Sequence, residues 1–207
     1  MEAREALDRL REGNRRFASH ERGSDPFLSH TPLAELAAGQ NPFAIVLGCS
    51  DSRVPAEIVF DQGLGDLFVI RVAGNIVAPS QVGSVEFAAA RFDTRLVVVL
   101  GHSHCGAILA TLEEIQQPTK NMLQNLHAIV DRVRPSIEGL LATDMALDPN
   151  ALVSRAVRAN IEASVDHLRH GSPLLEQLIR DAGLLVVGAE YSLETGVVDF
   201  FDQGPAG

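Results

Sequence analysis

The chain has 207 residues, of which 46% are hydrophobic and 21% are charged, a composition typical of a globular domain. Its formal net charge of −10 argues against nucleic acid or an anionic membrane as a partner, because both bind positively charged surfaces. No apolar run approaches the roughly 20 residues that a membrane-spanning helix needs. We therefore expect a single domain over residues 1–207 that binds neither nucleic acid nor membrane.

The N-terminus and the cysteine count predict the compartment. Residues 1–5 are charged and lack the apolar core of a signal peptide, so we expect a cytoplasmic protein. Two cysteines are too few for a disulfide scaffold in a chain of this length. In a reducing compartment such thiols are commonly buried, catalytic or bound to a metal.

The first 40 residues predict an N-terminal helical arm. Apolar residues recur at helical spacing over residues 3–19, which predicts an amphipathic helix with Asn14 on a solvated face or against a partner. The predicted apolar side consists of Ala6, Leu7, Leu10 and Phe17. A second, short helix is expected from Pro32 to Ala38, since proline favours a first helical position. Residues 41–207 are predicted to form the α/β core.

Short apolar runs alternate with helical patterns through this core. The predicted strands are 43–47, 67–72, 96–100, 184–189 and 196–201. The predicted helices are 55–60, 80–92, 105–116, 121–141 (kinked or split at Pro135), 149–170 and 173–182. This alternation predicts an α/β fold: a mostly parallel central sheet of four parallel strands plus an antiparallel C-terminal strand, flanked by helices. Ligand sites in such sheets lie beyond the carboxyl ends of the strands.

A polar motif, Cys49-Ser50-Asp51-Ser52-Arg53, follows the first predicted strand. In an extended conformation Cys49, Asp51 and Arg53 would share one face. A bidentate pair between Arg53 and Asp51 would orient the carboxylate, although the same pair could also be a structural salt bridge. Cys49 has two other interpretations, a small core residue or a phosphatase-type nucleophile, and the position of the arginine fits the second poorly.

A second polar motif, residues 101–106, follows the third predicted strand. The three-residue offset predicts His102 and Cys105 on one side of a helical turn, close enough to share a metal, although a lone His and a buried Cys are the plainer interpretation. His104 would be turned away, as a solvent-facing residue or a proton acceptor. If the two strand ends meet, Cys49 completes a soft-ligand set for zinc, with Asp51 as a fourth ligand or gate. A disulfide between the cysteines is disfavoured by the expected compartment.

Together the two motifs, Cys49-Ser50-Asp51-Ser52-Arg53 and His102-x-x-Cys105-Gly106, resemble the signature of the β-class carbonic anhydrases. The spacing between the motifs is also similar, and the resemblance extends from about Ala6 through the C-terminal strands. It implies a zinc ion held by Cys49, His102 and Cys105. It also implies a catalytic dyad of Asp51 and Arg53, with Asp51 as a conditional fourth ligand.

The resemblance further implies a substrate pocket. Gln40 and Phe68 match positions that line the family's pocket across a subunit interface, and Gly106 matches a position whose backbone lies beside the substrate. Val54 would join Phe68 in an apolar wall. Three residues match the family's Arg-x-x-Gly/Ala-Asn stretch, here interpreted as structural support: Arg71, Gly74 and Asn75.

One departure from the family concerns regulation. Some bacterial members have a bicarbonate-inhibited form with a Trp three residues before the first cysteine ligand. That position is Val46 in this chain, which contains no Trp. We therefore expect that regulatory site to be absent, which leaves gating by pH through Asp51 open.

The expected reaction is the reversible hydration of carbon dioxide to bicarbonate and a proton. A zinc-bound hydroxide would attack the substrate, with Asp51 orienting it while paired with Arg53. Released by Arg53 at lower pH, Asp51 would bind the zinc and close the site. The alternatives are hydrolysis of carbonyl sulfide or carbon disulfide on the same scaffold, a non-catalytic zinc or bicarbonate sensor, and a thiol-redox protein, which the lack of Cys-x-x-Cys disfavours.

The resemblance also implies self-association. We expect a homodimer, or a dimer of dimers, with active sites at the subunit interface. The N-terminal helix, which has few evident core partners in the sequence, could wrap the neighbouring subunit.

Overall fold

The computed structural model describes residues 1–21, 33–118, 124–143 and 148–202. The strands are β1 Ala44–Gly48, β2 Leu67–Arg71, β3 Leu96–His102, β4 Leu185–Tyr191 and β5 Val198–Asp202. The helices are α1 Ala3–Ala18, α2 Leu33–Ala38, α3 Ala56–Val59, α4 Pro79–Arg91, α5 Gly106–Gln116, α6 His127–Ile137, α7 Pro149–His170 and α8 Pro173–Asp181. Short 3₁₀ turns cover Ala73–Asn75 and Glu138–Ala142.

The five strands form one sheet in the order β2-β1-β3-β4-β5. The first four are parallel, and β5 runs antiparallel to β4, which confirms the predicted fold class. The chain leaves β1 toward β2 and leaves β3 toward β4, so its direction across the sheet reverses between β1 and β3. Such a switch point opens a crevice at the carboxyl ends of the two strands. The register aligns Gly48 with Leu100, which places both polar motifs at this crevice.

The two faces of the sheet carry separate cores. β1 and β3 are buried along their whole length, as their continuous apolar runs predict. On one face Ile45 and Val97 pack with helices α4 to α8, and Cys49 and Cys105 belong to this cluster. The alternate side chains face α1 and α3. The two cysteines therefore lie at the margin of the larger core, beyond the carboxyl ends of the strands.

Helix α1 packs on the sheet of its own chain, so the expectation that it has few core partners is wrong, while contact with a neighbouring subunit stays a prediction. Ala6 and Leu10 are fully buried in the core on that face. A Cβ at Gly13 would lie 1.9 Å from the carbonyl oxygen of Phe60, so only glycine permits this approach. Asn14 is also buried rather than solvated. Whether residues 1–40 behave as an arm distinct from 41–207 remains a prediction.

The boundaries of several elements differ from prediction. β3 continues through Gly101 to His102, because its last residues pair with β4 as far as Tyr191. Pro135 lies inside α6 without splitting it, and a 3₁₀ turn follows the helix. Pro32 and residues 121–123 lie outside the described residues. None of the helices in the described segments combines the length and apolarity that crossing a bilayer requires.

A candidate metal centre at two strand ends

The segment after β1 folds into a turn. The backbone N–H of Val54 donates to the carbonyl oxygen of Asp51 at 3.0 Å. This turn corrects the expectation that an extended chain brings Cys49, Asp51 and Arg53 onto one face. Arg53 still meets Asp51, because its Nε and Nη2 donate to Oδ1 and Oδ2 at 2.9 and 2.7 Å. The predicted bidentate pair is therefore present, within a turn of the backbone.

The Asp51 carboxylate is held ionised at the edge of the site. The hydrogen bond from the Arg53 side chain, followed by one from the Arg53 backbone N–H, keeps the pKa of Asp51 well below its usual range, although partial burial opposes this. Asp51 Oδ2 lies 3.9 Å from His102 Nε2. A fixed acceptor thus borders the side of His102 that faces the cysteines.

A second arginine holds the backbone of this turn. Arg71, the last residue of β2, donates from Nε to the carbonyl oxygen of Cys49 at 3.0 Å and from Nη2 to that of Asp51 at 2.5 Å. The backbone N–H of Gly74 donates to Cys49 Sγ at 3.4 Å. Gly74 has a φ of +70°, and a Cβ there would meet Ala107 at 3.0 Å. Arg71 and Gly74 thus contact the turn that carries Cys49 and Asp51, as a supporting role requires.

The second motif joins a strand to a helix. His102 is the last residue of β3 and Cys105 precedes α5 as its N-cap, so the two do not share the predicted helical turn. They converge because the chain turns back between them. A Cβ at Gly101 would lie 2.5 Å from Cδ1 of Ile161, which shows how closely α7 packs on this end of β3. His104 points outward, as predicted, with its Nε2 2.7 Å from Glu194 Oε1.

The two strand ends bring three soft ligands together. The ligand atoms of Cys49, His102 and Cys105 lie within 4.8 Å of one another, and all three residues are buried. His102 Nδ1 lies 2.9 Å from the carbonyl oxygen of Ser103, a partner that assigns its proton to Nδ1. Nε2 is buried and has no hydrogen-bond partner among the described residues. An orphaned imidazole nitrogen beside two free thiols fits a metal ion.

The two thiols lie close enough to influence each other's ionisation. The hydrogen bond from Cys105 lowers the pKa of Cys49 to about 4, against the opposing effect of burial. The same contact, together with burial, raises the pKa of Cys105. Ionisation of one thiol in this pair is therefore favoured while the other keeps its proton. A soft cation bound between the two sulfurs would satisfy both.

The residues predicted to line the substrate pocket are more widely spaced than the three proposed metal ligands. Val54 is buried close to Asp51, and Gly106 is exposed directly after Cys105. Phe68 pairs in register with Ile45, four residues or about 13 Å along the strand before Cys49. Its ring packs near those of Phe87 and Phe92.

Gln40 is exposed, in the segment that leads into β1, and borders a cavity with Leu36 and Leu64. The segment lies toward the amino end of the parallel strands, away from the carboxyl ends at which Cys49 and His102 lie. Within one chain, Gln40 and Phe68 are therefore not part of the metal cluster. Their place in a substrate pocket remains a prediction.

Sequence reasoning missed Glu194, which contacts both residues between His102 and Cys105. Its Oε2 accepts a hydrogen bond from Ser103 Oγ at 2.9 Å, in addition to the His104 contact. Glu194 is 91 residues from Ser103 in the sequence. The only signal was its place in the predicted turn between the last two strands, next to the edge where the ligands lie.

Comparisons with known proteins agree on a family. Residues 44–198 match the family model described as carbonic anhydrase. Carbonic anhydrase 2 of Mycobacterium tuberculosis is 40% identical over 187 residues, which cover 90% of this chain and 87% of that protein. The carbonic anhydrase of Mycolicibacterium smegmatis is 37% identical and covers 92% of this chain and 89% of its own length.

Solved structures place the fold in the same family. A tetrameric β-carbonic anhydrase from Sordaria macrospora has a TM-score of 0.74 at 27% identity, covering 84% of this chain and 87% of that one. The matched stretch of the family model contains Cys49, His102 and Cys105, the three residues that converge in the fold. Sequence, fold and ligand cluster thus agree, and the chain belongs to the β-class carbonic anhydrases.

Proposed function

We propose that the chain hydrates carbon dioxide reversibly with a zinc ion held by Cys49 Sγ, His102 Nε2 and Cys105 Sγ. The observation that carries this proposal is the buried cluster itself, in which one imidazole nitrogen has no partner among the described residues. Two thiolates and one imidazole are a known catalytic zinc set, with a fourth position left for water or substrate. Zinc held there would lower the pKa of water from about 15.7 toward 7 and so supply a nucleophile.

Asp51 and Arg53 are proposed to orient that nucleophile. The Arg53 fork fixes both carboxylate oxygens of Asp51, which leaves their remaining lone pairs to accept a hydrogen bond from a hydroxyl group at the cluster. Asp51 Oδ2 is 3.9 Å from the proposed ligand atom of His102, a distance that supports this role. The hydrogen bonds from Arg53 favour its ionised form. If Arg53 releases it, the same carboxylate is within reach of the metal as a fourth ligand.

We further propose a homodimer, or a dimer of dimers, in which each site is completed by its neighbour. Gln40 and Phe68 are too far from the cluster of their own chain to line its pocket, while Val54 and Gly106 lie beside it. A second subunit could supply the distant pair. The solved relative from Sordaria macrospora is tetrameric, which supports association.

The cytoplasmic location is retained as part of the proposal. Both cysteines are free, buried and assigned here to a metal. Thiol ligands of this kind persist where the environment is reducing.

The central test combines metal analysis with stopped-flow hydration of carbon dioxide. We expect close to one zinc per chain and a hydration rate that disappears when a chelator removes the zinc and returns when zinc is restored. Full activity in metal-free protein would refute the proposal.

Mixing two inactive variants tests the shared site. In a symmetric dimer, a chain with Asp51→Asn and a chain with Gln40→Ala together form one site with both defects and one intact site. If the subunits exchange freely, we expect about a quarter of the wild-type activity to return. No recovery after confirmed exchange would place Gln40 and Asp51 of each site in the same subunit, and full activity of Gln40→Ala alone would remove Gln40 from the pocket.

A further inference from the structure

Two proposed zinc ligands are joined by only two residues, and one of these is in an unfavourable conformation. His104 has a φ of +53°, in the left-handed region that non-glycine residues rarely adopt. Ser103 is tied to β4, because its backbone N–H donates to the carbonyl oxygen of Tyr191 at 2.9 Å. A strained link of this kind persists only where surrounding contacts hold it. Contacts that hold this link would also hold the spacing of His102 and Cys105.

A single carboxylate contacts both linking residues. Glu194 Oε2 accepts a hydrogen bond from Ser103 Oγ at 2.9 Å, and Glu194 Oε1 lies 2.7 Å from His104 Nε2. Ser103 Oγ in turn accepts a hydrogen bond from the backbone N–H of Leu193 at 3.0 Å. Ser192 Oγ donates to Glu194 Oε2 at 2.9 Å. The carboxylate therefore fastens the ligand-bearing link to the turn between β4 and β5.

This turn is itself anchored from its other side. Asn14 Nδ2 donates to the carbonyl oxygen of Gly196 at 2.9 Å, and Asn14 Oδ1 accepts from the backbone N–H of Val198 at 2.8 Å. Asn14 is 4% exposed, so these hydrogen bonds are shielded from water. Glu194 thus projects from a turn that helix α1 holds in place. A rigid support on one side and a strained link on the other are what a positioning contact requires.

We propose that Glu194 is a positioning residue for the metal centre, which holds Ser103 and His104 so that His102 and Cys105 keep the spacing that a zinc ion needs. This inference rests on the proposed function, because it presupposes zinc at that cluster. Contacts beyond the ligands commonly change metal affinity by about 10-fold to 100-fold when they are removed. The role is geometric, so an uncharged side chain of the same shape should largely replace it.

The test measures zinc affinity by chelator competition, and ligand geometry by the visible absorption of the cobalt-substituted protein. We expect Glu194→Ala to weaken zinc binding about 10-fold and to change the cobalt bands. Glu194→Gln keeps an acceptor oxygen for the serine hydroxyls, so it should recover most of the affinity. Glu12→Gln, which removes an exposed carboxylate paired with Arg15 on α1, is the matched control and should match wild type.

The outcomes separate this role from its alternatives. Wild-type affinity and cobalt bands in Glu194→Ala would overturn it, and equal losses in the Ala and Gln variants would assign the effect to charge rather than position. If Glu194→Ala does not fold, Ser103→Ala decides in its place, because it removes the hydroxyl that links Glu194 to the chain between the ligands. Wild-type protein that binds no zinc would refute the proposed function itself.

Discussion

The two strand ends that form the metal centre are held in different ways. After β1, the turn depends on guanidinium groups: Arg53 donates to both carboxylate oxygens of Asp51, and Arg71 donates to two backbone carbonyls. The Arg53 side chain is 56% exposed. After β3, His102 is fully buried, and its neighbour Ser103 is fixed by pairing with β4 and by the backbone N–H of Leu193, in addition to the exposed carboxylate of Glu194. The first, ionic end is held mainly by exposed arginine side chains, and the second, packed end mainly by burial and strand pairing.

This difference suggests that one end holds the metal ligands in place and the other carries the residue that changes partner. Exposed ionic contacts are weakened by solvent and salt, so their partners exchange readily. Buried neutral contacts persist, because breaking one leaves an unpaired polar group inside the protein. Two of the three proposed ligands, His102 and Cys105, lie at the packed end, while the carboxylate assigned a changing role, Asp51, lies at the ionic end. Cys49 is the exception, since it is buried at the start of the ionic segment.

Removing Cys49 should have the largest effect, because it breaks the link between the two ends. We expect Cys49→Ser to reduce the zinc content to below about 0.1 per chain, since an alcohol is a far weaker zinc ligand than a thiolate. Activity should be lost with the metal. Metal analysis and stopped-flow hydration measure both, and Ser50→Ala, an exposed neighbour, is the control. A Cys49→Ser protein with full zinc would remove Cys49 from the ligand set.

Asp51→Asn should separate metal binding from activity, because it changes only the end that follows β1. The change leaves the three buried ligands in place, so we expect about one zinc per chain. It removes the charge that Arg53 holds and replaces one of the two accepting carboxylate oxygens with an N–H donor, so the nucleophile should be poorly oriented and the hydration rate should fall about 100-fold or more. Asp8→Asn, which breaks an exposed pair with Arg11 on α1, should leave the rate unchanged. Wild-type activity in Asp51→Asn would refute the dyad.

The continuous apolar runs explain why so much of the fold could be predicted. A strand buried on both faces must be apolar throughout, and β1 and β3 are; each is followed at once by the polar residues of the site. The pair of Asp51 and Arg53 was also predictable, because an arginine and a carboxylate two residues apart are within reach of each other. Its geometry was not, since an extended chain and a turn both bring them together.

Contacts between distant segments could not be predicted. Asn14 appeared polar among charged neighbours, yet it is buried because the turn after β4 supplies partners for its amide 182 residues away. Pairing with β4 likewise extended β3 to His102, whereas the helical spacing of His102 and Cys105 suggested a turn of helix. In each case the deciding partner lies on another element, and no local pattern reports its presence.

Arg71→Lys should have the smallest effect and sharpen the contrast between the two ends. Arg71 reaches the carbonyl oxygens of Cys49 and Asp51 with two different nitrogens, which the single ammonium of lysine cannot reproduce in a fixed fork. We expect Asp51 to be less well placed and the hydration rate to fall about 10-fold, with the zinc content unchanged. Arg91→Lys, an exposed arginine at the end of α4, provides the control. Loss of zinc in parallel with activity would show that Arg71 holds the ligand Cys49 as firmly as the dyad, and the ionic end would then be part of the fixed metal frame.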